Sequence, residues 1–144
     1  MSDMSEQENK LRIQKAIRQA EDDLVIWIQA ALDNSKYRKL KPEKPKDEKL
    51  EESQFRNLVR VADTTDSTEV IKNFLRYQVG RGDKWGRGKG SLAEQIIEDI
   101  DVKLKKTAGE ISDNSDFKEI WLELTRRYLG YGARYLKYLN EGKL

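Results

Sequence analysis

The stretch GRGDKWGRGKG, residues 80–90, holds five glycines, four cations, one aspartate and one tryptophan. Residues of these types grip phosphates when their spacing is right. A nucleotide P-loop needs G-x-x-x-x-G-K followed by Ser or Thr, between a strand and a helix. Here Gly88-Lys89 is followed by Gly90, and Asp83 stands five positions before Gly88. The dinucleotide pattern G-x-G-x-x-G also fails, because Trp85 occupies the third place after Gly82. Two readings survive. One is a flexible connector kept soluble by its cations. The other is an arm for single-stranded nucleic acid, with Arg81, Lys84, Arg87 and Lys89 on phosphates and Trp85 stacked on a base, worth roughly 1–3 kcal/mol. Trp85 could equally plug the core.

The chain contains no histidine and no cysteine. Disulfides, zinc held by nitrogen or sulfur, and catalysis through imidazole or thiolate are therefore excluded. The carboxylates show no paired placement for acid–base or two-metal chemistry, and Asp99 and Asp101 fall on different sides of a helix. No catalytic residue, no metal-binding residue and no cofactor is expected.

The remaining candidates are cations one helical turn apart. Arg126, Gly130, Arg134 and Lys137 follow at steps of four, four and three. Glycine inside a helix costs about 1 kcal/mol relative to Ala, so Gly130 and Gly132 mark places where a polynucleotide or a neighbouring helix comes close. Arg56 and Arg60 form a second such pair, Lys72 and Arg76 a third, and like charges at this spacing repel mildly. The bland alternatives are ordinary solvated faces and local ion pairs, Glu52 with Arg56 and Arg60 with Asp63.

These side chains need elements to carry them. Ile13, Ile17, Ala20, Leu24, Ile28 and Ala31 recur at steps of three and four, which predicts one helix over about 6–33. Residues 34–49 hold two prolines and seven cations, which rules out a helix interior and predicts a basic linker. Phe55, Leu58, Val59 and Ala62 mark a short second helix. After the turn ADTTDSTE, with Asp66 as its starting cap, a third carries Ile71, Phe74, Leu75 and Gln78 and stops at Gly80. Ser91 and Glu94 form a capping box ahead of Leu92, Ile96, Ile97, Ile100 and Leu104. TAGEISDNS reads as a loop. Ser115 then caps a last helix reaching about Asn140, with its tyrosines facing the core. The expected fold is all-α, a bundle of about five helices with a long N-terminal and a long C-terminal helix. Its parts are 1–33 packing on the core, the linker 34–49, and a core over 50–144 that contains the loop 80–90.

At 144 residues the chain is sized for one domain. Its net charge of +2 is uninformative as a total, but the cations gather in 34–49, in 80–90 and on the last helix. No apolar run is long enough to span a bilayer, and the polar N-terminus lacks the features of a signal peptide. A cytoplasmic location without membrane partners is expected.

Three stretches together carry a family resemblance: LEESQFRNLVRVA (50–62), VIKNFLRYQVGR (70–81) and LELTRRYLGYGARYLKYL (122–139). With the order of elements around them they resemble the small subunit of type III CRISPR effector complexes, the Csm kind. YQVGR is the most specific piece. Residues 82–91 look like an expansion of a shorter join, so the resemblance vouches for Arg81 and not for Lys84, Trp85, Arg87 or Lys89. It implies a non-catalytic helical subunit of an antiviral RNA-guided complex. Several copies would stack along that complex beside the backbone and large subunits and contact guide RNA and target RNA. Arg56 and Arg81 would be its leading contacts, followed by Arg60, Arg76, Arg126 and Arg134. A stand-alone helical nucleic-acid-binding module and a helical protein adaptor remain the other readings of the residues.

Overall fold

The protein is seen here as a computed structural model that describes residues 3–35, 52–82, 84–112 and 114–141. Most of the basic linker lies outside the described residues. The elements are α1 (Asp3–Asn34), α2 (Glu52–Thr64), α3 (Thr68–Arg81), α4 (Leu92–Glu98), a π segment (Asp99–Leu104), α5 (Lys105–Ile111) and α6 (Phe117–Glu141). Because α4, the π segment and α5 run on as one rod, the fold is five helical rods without strands among the described residues, with long helices first and last.

The 25-residue α6 is the axis of the bundle. Its Ile120, Leu124, Tyr128, Leu129, Leu136 and Leu139 are buried. α1 runs parallel to it, since Asn9 donates to Asp116, Arg127 lies 3.4 Å from Glu21, and Tyr135 donates to Asp33 at 2.8 Å. α2 runs antiparallel: Glu52 faces Lys137 at 3.7 Å, while the far end of α2 meets Arg126. The α4–α5 rod is antiparallel too, with Asp99 on Tyr128 and Trp121 donating to the Ile100 carbonyl. Gly132 lets these layers close. A Cβ there would lie 2.6 Å from Phe55 Cζ and 2.7 Å from Ile28 Cγ1.

Two of the three capping expectations can be checked at hydroxyl oxygens. Ser91 Oγ accepts from the Glu94 backbone N–H at 3.2 Å and starts α4. The cap of α3 is Ser67 rather than Asp66: its Oγ accepts from the Val70 N–H at 3.2 Å. A hydroxyl one residue nearer the first turn reaches that N–H, leaving the Asp66 side chain exposed near Arg126.

The predicted loop TAGEISDNS is shorter than expected, because α5 continues through Ile111. Apolar side chains at Ile96, Ile100, Leu104 and Ala108 recur at every fourth residue, which drifts by about 40° per step on an α-helix. The wider π turn winds less per residue, and all four remain buried. The turn into α6 is organised by Asn114, whose Oδ1 accepts from the Asp116 N–H at 2.9 Å and from Ser112 Oγ at 2.7 Å. Ser115, the expected cap, is an exposed turn residue.

The π segment also carries the bundle's buried polar network. Asp99 is 1% exposed and accepts from Tyr128 at 2.6 Å and from Gln95 at 2.9 Å, with Lys103 at 3.5 Å. Burial, reinforced by the Asp99 charge and hydrogen bond, holds the Tyr128 hydroxyl well above the usual tyrosine range. Asp101, on the opposite side as expected, binds Lys72 Nζ at 2.5 Å, and Glu69 completes that clamp at 2.6 Å. Burial alone would lower the Lys72 pKa, but the two carboxylates outweigh it and leave the ammonium raised.

Candidate nucleic-acid interface

α2 and α3 form an antiparallel hairpin around the turn Thr65–Ser67. α2 buries Phe55, Leu58 and Ala62, and α3 buries Ile71, Leu75 and Gln78. The helical period then turns Arg56, Arg60, Arg76 and Arg81 outward, and all four are exposed. Arg56 lies nine residues before Thr65 and Arg76 nine after Ser67. At 1.5 Å per residue both stand about 13 Å from the turn, so the two share one level of the hairpin.

None of these four holds an ion pair with another described residue. The alternative local pairs do not form: Glu52 faces Lys137, and Arg60 donates to Asn57 Oδ1 at 3.0 Å. Arg81 lies 5.6 Å from the centre of the Tyr77 ring. Residues 70–82 contain no acid, so the outer end of α3 is a cationic surface that carries no negative charge of its own.

The glycine-rich loop departs from the nucleic-acid-arm reading at its centre. Trp85 is 1% exposed, packs on Phe55 at 5.5 Å between ring centres, and offers no face to a base. Its backbone carbonyl accepts from Ala93 N–H at 3.3 Å, which ties the loop to the first turn of α4. Gly86, Gly88 and Gly90 have φ of 76°, 73° and 87°, the left-handed region where L side chains are strained. A Cβ on Gly86 would also lie 2.9 Å from Ser91 Cβ. Three of the five glycines thus fold the chain back to seat the indole. Arg87 and Lys89 are exposed on the outside of this turn and Lys84 is half-buried.

On α6 the predicted stripe divides. Arg126 is turned inward: its Nε donates to the Ala62 carbonyl at 2.7 Å and its guanidinium to the Thr65 carbonyl at 2.9 Å. It thereby satisfies carbonyls at the end of α2, a structural task that the exposed hairpin arginines do not have. Arg134 is exposed and sits 5.9 Å from the Tyr131 ring centre. The Glu52–Lys137 contact places this end of α6 beside the start of α2, at the end of the bundle that carries Arg56. At Gly130, unlike Gly132, a Cβ would meet nothing within 4 Å.

Sequence reasoning missed Tyr77. Its ring is 57% exposed next to Arg81. The signal was present in its place one residue before Gln78, off the stripe Ile71–Leu75–Gln78. A second feature had no sequence signal: a groove of about 400 Å³ between α1 and the first half of α6. Ile13, Ile17 and Ile120 floor it, and Asp116, Glu119 and Glu123 rim it.

Among the described residues no group of His, Cys, Asp or Glu is arranged to hold a metal ion, and no helix is long and apolar enough to cross a membrane. The chain matches no protein-family model, no curated protein and no solved structure.

Proposed function

We propose that this chain is the non-catalytic small subunit of a type III CRISPR RNA-guided effector complex, stacking in several copies and contacting the RNA backbone through arginines. The observation that carries the reading is the outer end of the α2–α3 hairpin. There Arg56, Arg76 and Arg81 stand exposed without carboxylate partners among the described residues. Guanidiniums left in this state suit phosphates, which position a strand without reading its bases. Sequence choice would then rest with guide–target pairing. The resemblance of residues 50–62, 70–81 and 122–139 to that family names the setting.

Two measurements test it. Co-expressed with its neighbouring gene products, the chain should copurify with a large particle containing guide RNA. For the isolated chain, affinity for single-stranded RNA should fall with salt, and Arg81→Ala should flatten the logarithmic slope by roughly 0.7 per lost phosphate contact. Arg126→Ala should lower the melting temperature and leave that slope in place. An unchanged slope in Arg56→Ala, Arg76→Ala and Arg81→Ala alike removes the phosphate role. If those variants instead reduce the number of copies per particle in native mass spectrometry, the arginines bridge neighbouring subunits. The groove between α1 and α6 favours one other reading, a helical adaptor for proteins, and absence of any salt-dependent RNA binding would select it.

A further inference from the structure

The outer face of α3 holds an aromatic that the interior does not use. Val70, Phe74, Tyr77 and Arg81 follow at steps of four, three and four and so share one stripe. Phe74 is half-buried and packs its ring 6.3 Å from that of Tyr77, while Tyr77 itself is 57% exposed. The Arg81 guanidinium lies 5.6 Å from the Tyr77 ring centre. The phenol hydroxyl has no hydrogen-bond partner among the described residues. Packing of this bundle therefore does not explain Tyr77.

We infer that Tyr77 is a stacking platform for an unpaired base of a single-stranded RNA whose phosphates are held by Arg81 and Arg76. This rests on the RNA-contact reading above and deepens it by adding a base contact to the phosphate contacts. Two observations choose the ligand. A flat exposed ring selects a flat partner. The flanking guanidiniums, in a stretch of thirteen residues without an acid, select an anionic one. A nucleotide is both, and stacking tolerates any base because each has a π face.

The test compares two end-labelled probes of equal length by fluorescence anisotropy: a single-stranded RNA of mixed sequence, and the same sugar-phosphate chain lacking its bases. The wild-type chain should bind the base-bearing probe more tightly, by about 5- to 150-fold for one stacked base. Tyr77→Ala should lose that preference while keeping the salt dependence, and Tyr77→Phe should retain both. Arg76→Ala should weaken both probes equally. Tyr77 is exposed, so the variants are expected to melt with the wild type, and circular dichroism checks this. A wild-type chain that binds both probes equally, or a Tyr77→Ala chain that still prefers bases, overturns the stacking inference and leaves the phosphate reading standing. A wild-type chain that binds neither probe overturns both.

Discussion

Gly130 and Gly132 lie two positions apart on α6 and should respond oppositely to a methyl group. At Gly132 a Cβ meets Phe55 and Ile28 at 2.6 and 2.7 Å, deep in the core. Overpacking of this kind costs about 1–3 kcal/mol, so Gly132→Ala should lower the urea midpoint. At Gly130 nothing lies within 4 Å. Gly130→Ala should raise stability by up to ~1 kcal/mol, the helix-propensity difference alone. If Gly130→Ala is stable yet weakens complex assembly, the bare spot serves a partner. Trp85 makes a comparable contrast. Trp85→Ala empties a packed site beside Phe55 and should cost about 3–5 kcal/mol. Trp85→Phe should be milder, because the indole N–H has no hydrogen-bond partner among the described residues and its removal leaves none of them unpaired. Both are read by chemical denaturation.

The starts of the helices are stabilised one hydroxyl at a time. Ser67→Ala and Ser91→Ala each remove a side-chain acceptor from a first-turn N–H and should each cost ~1 kcal/mol in thermal or urea unfolding. Ser91 is readable directly from the sequence, since Ser-x-x-Glu before an apolar run is a local pattern. The long α1 and α6 are legible for the same reason: their stripes repeat over many turns. Features set by distant residues are not. By sequence Trp85 reads either as a stacking face among cations or as a core plug, and its burial against Phe55 of α2 decides for the core. Arg126 resembles one more surface cation until the end of α2 meets it. The α5 segment favours a loop locally, because Gly109 and the polar TAGE weigh against helix, while burial of Ala108 holds the turn in place. Of the candidate interface, the four hairpin arginines are legible as an outward face, and Tyr77 is hidden by the expectation that aromatics go inside.

Across the bundle, two hydroxyls and an ammonium are tuned in one direction. Burial first and Asp99 second raise Tyr128; burial first and the Glu21 hydrogen bond second raise Tyr131. Lys72 is raised because Asp101 and Glu69 outweigh its burial. A group whose folded pKa lies above its unfolded value contributes fully below the unfolded value and loses that contribution as pH climbs through the folded one. The unfolded values are 10.0 for Tyr and 10.5 for Lys. Stability should therefore be flat with pH near neutrality and fall above pH about 10. Tyr128→Phe should be less stable at pH 7 by roughly 1.5–3 kcal/mol, the range for a hydrogen bond to a charged group. Its loss of stability between pH about 9 and 11 should be shallower than the wild type's, as followed by urea unfolding across that range.

The wide turn at Asp99–Leu104 has an evolutionary reading, because such turns behave as single-residue insertions into an ordinary helix. Deleting the exposed Val102 would restore regular winding without touching a buried side chain. A wide turn with one residue more than a regular turn covers nearly the same angle, so Leu104 and Ala108 would keep their shared face. The extra residue is absorbed within the wide turn itself, so a lineage could gain or lose it there and leave the apolar pattern downstream as it stands.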